Sequence, residues 1–443
     1  MAKRQRQRRR ERRRKHSERR NRYSLITGAS VTAGALLGIA SPALADSFYV
    51  SRGGDMGDGT CDATCTLRDA VDDANANSNF SNIFFESNLS GAIITLTAGD
   101  LPILYPAGVY GPGPDQLTIS GNDADRIFTV NPPLYENVSI YSLTLTDGAA
   151  VKGGAIYNSH ADLTILDTVI SGNFATEDGG AIYDYGGGHI AQTVVSRSTL
   201  NGNTAGHAGG AIYGAESFGR VSESTLSGNT AVAGNGGAIA SEAFSPRGYV
   251  EDSTISGNSA DDDGGGVSAD YVSVYNTILA NNTASAYGDV DSNDFYAATS
   301  LIEDPGGTTV TGVSNLTGID PQLGPLGITG GHLPTLKPGP SSPVVDQGFS
   351  SDNRDQRDFS RPVDNPNVAN VANGDGNDIG SVELTLEEGP QPPPPPPGTS
   401  IPGTSAPGPT FNLQAAIKRC KKKFPKGPKR ARCIKKAKRR VGS

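Results

Sequence analysis

Tryptophan is missing from all 443 residues; methionine occurs twice, cysteine four times and histidine five times. Aromatic residues make up 6% of the chain and hydrophobic ones 35%, against 57 glycines. Such a composition cannot fill a broad globular core, so the interior must be thin and long. Basic residues are scarce through the middle: residues 46–410 carry 11 Lys and Arg against 44 acids, a net charge of −33. A body of that sign repels phosphate backbones and excludes nucleic acid as a partner. The cysteines fall into two local pairs, Cys61 with Cys65 and Cys420 with Cys433, with too few Cys or His nearby for a metal site. In an exported chain such pairs read as disulfides.

What is present is a repeat. Ser253-Thr254-Ile255-Ser256-Gly257-Asn258 is followed by Gly264-Gly265. The same phrase recurs around Asn173 with Gly179-Gly180-Ala181-Ile182-Tyr183 and around Asn203 with Gly209-Gly210-Ala211-Ile212-Tyr213. It returns around Asn229 with Gly236-Gly237-Ala238-Ile239, and in degenerate form at Asn282. The Asn-to-Asn steps of 30, 26, 29 and 24 residues fall in the solenoid range. Gly, Ser, Thr, Asn, Val and Ile dominate each unit, which disfavours helical repeats and favours short strands. Three short strands per turn predict an all-β fold, a parallel β-helix in which each strand pairs with its equivalent about 4.8 Å along the axis. Residues 83–320 have room for about nine coils at this period. Ile170, Leu200, Leu226, Ile255 and Leu279 then form one inward column, and Ile156, Ile182, Ile212, Ile239 and Val267 another. Asn173, Asn203, Asn229, Asn258 and Asn282 stack at a corner as a structural ladder, each hydrogen bond contributing about 1 kcal/mol net. The paired glycines supply the positive φ of a sharp corner.

The ends differ. Residues 1–45 join a basic run ending at Arg22 to an apolar stretch from Ser24 to Leu44 and a small-x-small site at Ala43-Leu44-Ala45. That is an export signal, and its removal leaves no transmembrane span. Residues 46–82 form an N-terminal cap: Thr66 is placed to cap a helix with Asp69 three residues on, while Leu67, Ala70, Val71 and Ala74 share its apolar face. Residues 389–410 are a proline-rich linker, extended and semi-rigid. Residues 411–443 carry 14 basic and no acidic residues. They read either as a solvated tail or as an electrostatic tether to an anionic envelope. Both terminal extensions are expected to be disordered, and the chain to be a monomer.

Three segments carry family resemblances. Cys65-Thr66-Leu67-Arg68-Asp69-Ala70 resembles the "CSLREA" segment at the front of many exported bacterial β-helix proteins, with Thr for Ser and Asp for Glu. Gly-Gly-Ala-Ile, starting at Gly153, is similar to the repeats of polymorphic outer-membrane proteins, although Ile or Leu stands where that family has Phe. Asp320-Pro321-Gln322-Leu323, Ser342-Pro343-Val344-Val345-Asp346, Asp355-Gln356-Arg357 and Asp378-Ile379-Gly380, within residues 321–388, resemble the "choice-of-anchor Q" module. Together they imply a right-handed parallel β-helix of the pectate-lyase-like fold, displayed at the bacterial cell surface or secreted.

Enzymes of that fold cut polysaccharides with converging acids, and the candidates here are Asp178, Asp184, Glu216 and Asp261 to Asp263, with His189 and His207 nearby. The polygalacturonase-like signatures are missing, so no catalytic residue is assigned. Non-catalytic adhesion, glycan binding or a matrix role is the leading reading; a polysaccharide lyase or glycoside hydrolase is the alternative. Asn373 to Asp378 offers oxygen ligands without the spacing of a known Ca²⁺ loop, so no cofactor is expected and Ca²⁺ stays open. Strand alternation places Ile inward and Ala and Tyr outward. Tyr157, Tyr183 and Tyr213 then line one face of three successive coils beside Asp184 and Glu216, where a polysaccharide could lie.

Overall fold

The computed structural model describes residues 45–391 apart from 134, 187–192, 217–218, 243–247 and 373. The signal segment, nearly all of the linker, the basic tail with Cys420 and Cys433, and His189 lie outside the described residues.

Strands one coil apart pair in parallel and build four sheets. Sheet A has eleven strands, from Asp46–Val50 to Thr311–Val313, and sheet B has ten, from Ala92–Thr95 to Leu316–Thr317. Sheet C has eight, from Leu101–Ile103 to Val290–Asp291. A complete turn needs a strand in all three, so the described residues make eight complete turns, close to the expected number, and the outermost coils are partial, with no strand in sheet C. Sheet D is a fourth wall of five two-residue strands, from Ala149–Ala150 to Ser259–Ala260. It occupies what the repeat pattern alone presents as a polar turn.

Register explains the core. Ile170, Leu200, Leu226, Ile255 and Leu279 sit opposite one another through sheet B, and Ile156, Ile182, Ile212, Ile239 and Val267 through sheet C. All ten side chains are buried, each stabilising the fold by about 1.5–3 kcal/mol. Ala155, Ala181, Ala211 and Ala238 are buried with them, which corrects the expected outward alanine. The amides of Ala155 and Ile156 both donate to the carbonyl of Ala181, and the next coil repeats this at Ala211. Two donors on one acceptor make a bulge-like step, so alternation begins only after Ile.

The two glycines before each alanine do different work. Gly179, Gly209 and Gly236 have φ of 67–68°, a region that carries a steric cost for other residues. In the second glycine of each pair, a Cβ at Gly180 would lie 2.2 Å from the Gly210 carbonyl oxygen, so this position lets neighbouring coils touch.

The corner asparagines form a one-directional ladder. The Asn173 side-chain amide donates to Asn203 Oδ1 at 2.9 Å, Asn203 to Asn229 at 2.9 Å, Asn229 to Asn258 at 2.8 Å and Asn258 to Asn282 at 2.8 Å. Asn282 donates at 2.8 Å to the carboxylate of Asp289, which ends the series.

At the front, helix α1 (Leu67–Asn75) lies against the first coils, with Leu67, Ala70, Val71 and Ala74 buried. Thr66 and Asp69 form a reciprocal capping box. A Cys61–Cys65 disulfide precedes it, and Arg68 pairs with buried Asp55 at 2.8 Å.

Behind the last coil the chain folds back along the outer face of sheet B as an irregular strap. Thr199 Oγ1 donates to the Pro334 carbonyl at 2.7 Å. The Gln356 amide donates to the Ser198 carbonyl and to Thr199 Oγ1, and Thr225 Oγ1 donates to Gln356 Oε1. Ser381 meets Thr225 and Thr254, while Val344 and Ile379 pack on Ile278 and Leu301. Arg361, wholly buried, bridges Asp252 of the solenoid at 2.9 Å and Glu383 of the strap at 3.2 Å.

Candidate functional site

The outer face of sheet C changes character along its length. Tyr157, Tyr183 and Tyr213 occupy one register position on successive coils, with ring centroids 5.3 and 5.4 Å apart and planes within 6° and 12° of parallel. The rings stand face to face, as offset aromatic pairs do, each pair adding about 0.5–1.5 kcal/mol. The Arg126 guanidinium lies 5.2 Å from the Tyr157 ring centre and the Lys152 ammonium 4.7 Å from that of Tyr183. Tyr183 and Tyr213 are therefore only 7% and 6% exposed. They face outward, but their rings are covered by one another and offer little surface to a ligand. Burial holds the Tyr213 hydroxyl well above the usual tyrosine range, and neighbouring Glu242 and Asp178 add to the shift.

Asp184 does not lie beside this column. One residue beyond Tyr183, alternation turns it inward, where it is 1% exposed and accepts from the Asn158 amide at 2.8 Å. The next coil has Gly214 at that position, and a cavity of about 10 Å³ remains there, room for one water. Glu216 is exposed beyond its strand with φ of 61°, so these two acids are on opposite sides of the wall. Asp178 pairs with His207 at 2.8 Å and Lys152 at 3.5 Å. Asp261 and Asp262 are exposed at a corner and Asp263 is half-buried there. The candidate acids are thus dispersed. In the segment Asn373 to Asp378, of which Asn373 lies outside the described residues, Asp378 accepts from the backbone amides of Asp346 and Leu384. Among the described residues no cluster of His, Cys, Asp and Glu is arranged to hold a metal, and no helix is long and apolar enough to cross a membrane.

Where the tyrosine row continues as Ala240, Ser268 and Asp291, the missing rings leave space. An open groove of about 340 Å³ lies there, lined by Asn235, Glu242, Ser268, Asp270, Asp291 and Asn293 among others. That volume is at the lower end of ligand-binding clefts. Asn293 donates to Asp270 at 2.8 Å and Ser268 to Asp291 at 3.2 Å, which orients both carboxylates. Burial pushes the Asp291 carboxyl up, and repulsion from Asp263 and Asp270 adds to it. Among the described residues the lining has no cation. It can accept hydrogen bonds from hydroxyls or amines, and it repels anions. The end of the tyrosine row at Ala240 is visible in the repeat; the carboxylates beyond it follow no motif and were missed.

The model of the Chlamydia polymorphic membrane protein (Chlamydia_PMP) repeat matches residues 167–184, 197–215 and 223–242. These segments carry Asn173, Asn203 and Asn229 of the ladder and Tyr183 and Tyr213 of the stack. No curated protein and no solved structure matches the chain. Three of its coils are thus similar to polymorphic membrane protein repeats, here wound into a parallel β-helix.

Proposed function

We propose that this is a cell-surface β-helix that binds glycans without cutting them, and that the groove past Tyr213 is where it holds them. The groove itself carries the reading: hydroxyls, amides and three carboxylates converge on a sugar-sized space, and its acids are engaged with neighbours rather than paired across a scissile position. Its charge selects uncharged or amine-bearing sugars and rejects uronates and sulfated chains. The repeat match supports a surface location, and the resemblances to exported β-helix proteins at both ends of the mature chain agree with it. Extending the stack with Ala240→Tyr and Ser268→Tyr fills the groove. It should leave stability unchanged or raise it by about 0.5–1.5 kcal/mol per new ring pair, and abolish retention of short amine-bearing oligosaccharides on an array. Retention of those oligosaccharides by the filled variant, or release of reducing ends or unsaturated uronate by the wild type, overturns the proposal.

The basic tail completes this reading as the tether. Removing residues 411–443, with their 14 positive charges, should move the protein from the cell fraction to the medium, and high salt should mimic the deletion by screening. Association that survives both treatments rules the tether out.

A further inference from the structure

We propose that the outer face of the first five strands of sheet A is a second binding surface, which takes an uncharged polysaccharide chain laid along the coils. Two rows run down this face in register. Tyr49, Phe84, Tyr110, Tyr141 and Leu166 form one, and Ser47, Asn82, Gly108, Ser139 and Thr164 the other. The first four rings are in contact, with centroids 5.6, 5.2 and 5.2 Å apart. Tyr49 is 55% exposed, and every other position is exposed or half-exposed except Gly108. Gly108 lies beneath the Tyr110 ring: a Cβ there would come within 2.3–2.4 Å of three of its atoms. The strand gives up a side chain so that the ring can lean across it.

Charge and size identify the occupant. None of the ten positions is charged, on a body whose net charge is −33, so this is a neutral island between acidic surroundings. Four strand steps of about 4.8 Å and a row separation near 7 Å give a face of roughly 19 Å by 7 Å between row centres. That is roughly 130 Å², well short of the ~800 Å² per partner of a stable protein interface. A second copy of the chain or a folded protein therefore finds too little area here. A sugar chain needs less: the apolar faces of its rings suit the aromatic row, and its hydroxyls suit the Ser, Asn and Thr row beside it. The surface is separate from the sheet C groove and does not depend on it.

Affinity electrophoresis of the full chain in gels containing hydroxyethylcellulose, dextran or galactomannan tests this. At least one polymer should retard the wild type, and Tyr49→Ala with Phe84→Ala should weaken that affinity by about tenfold or more. Tyr49→Ser alone, at the exposed edge of the first strand, should weaken it in a protein of unchanged circular dichroism. The groove-filling Ala240→Tyr, Ser268→Tyr variant should be retarded like the wild type, which separates this surface from the groove. Failure of all three polymers to retard the wild type overturns the proposal, as does equal retardation of the Tyr49 variants. So does a wild-type dimer that Tyr49→Ala converts to monomer.

Discussion

Arg361→Met should release the strap from the solenoid. The guanidinium is fully buried and donates to Asp252, Glu383 and the Gly380 carbonyl. Asp252 also accepts from Asn276 at 2.7 Å and Ser350 at 2.9 Å, so one carboxylate holds both sides of the junction together. Removing the cation leaves two buried carboxylates facing each other without a counter-charge, which costs about 3–5 kcal/mol. Because the strap lies along the outer face of sheet B and the turns at Asp167, Asp252 and Asn276 that lead into it, outside the core of the coils, the loss should be local. Amides of residues 342–384 should exchange much faster and become sensitive to protease, while the coils keep their protection. A triple variant that also carries Asp252→Asn and Glu383→Gln should recover part of the loss, since neutral partners tolerate the missing cation. Unchanged exchange in the single variant would mean that the strap is held by its apolar contacts alone.

The same junction makes strap docking pH-dependent. Burial pushes the Glu223 carboxyl up to about 7, and Glu251, Asp252, Asp378 and Glu383 are also raised, chiefly by burial. A carboxyl raised in the folded state binds more protons there than in the unfolded chain, so stability falls as pH climbs from the ordinary carboxylate range toward neutrality. Arg361 opposes this, and its own pKa is raised by Asp252, Glu383, Asp355 and Asp378 against the opposing effect of burial. The Arg361→Met variant should therefore lose its strap more completely at high pH than at low.

The solenoid was legible because its physics is periodic. The repeat names the inward Ile and Leu columns and the corner asparagines, and a local capping pattern outside the repeat names the helix at Thr66. Three things were not legible for separate reasons. Ala155 and its equivalents turn inward because two amides share one carbonyl on the next coil, a relation between coils that strand alternation cannot express. Asp184 sits one residue past Tyr183, so the alternation that places Tyr outward places it inside, and nearness in sequence does not put the two on one face. The strap docks across separations of 157 and 158 residues through Gln356, and nothing local in Asp355-Gln356-Arg357 reveals its partners. The groove is the subtlest case, since it is made by absent rings at Ala240 and Ser268 and by acids whose alignment depends on coils of unequal length.

Asn229→Leu should be the most damaging substitution in the repeat. Its Oδ1 accepts from the Asn203 backbone amide at 3.1 Å and side-chain amide at 2.9 Å. Its own side-chain amide donates to Asn258 Oδ1 at 2.8 Å and the Leu200 carbonyl at 3.0 Å. Leucine has similar bulk but removes all four bonds in a position with no solvent contact. The Asn203 backbone amide loses its acceptor, while the Asn203 side-chain amide keeps the Ile170 carbonyl and Asn258 Oδ1 keeps the Asn229 backbone amide. An orphaned amide costs about 1–3 kcal/mol and each further lost bond about 1 kcal/mol, so the net loss should be roughly 3–5 kcal/mol. Urea unfolding measures it, and a loss below about 1 kcal/mol would show that backbone pairing alone holds the corner. The ladder also has a direction, because its last acceptor is Asp289, whose carboxylate takes the Asn282 side-chain and backbone amides on one oxygen and the Asp304 amide on the other. Burial raises Asp289 from the ordinary 3.8 to about 6. Between those values the folded state holds the extra proton, so its contribution to stability declines as pH rises from about 4 to about 6. Asp289→Asn keeps an oxygen acceptor for Asn282 and removes the titration. It should flatten that part of the stability profile while costing far less than Asn229→Leu; a slope that persists in the variant would move the titrating group elsewhere.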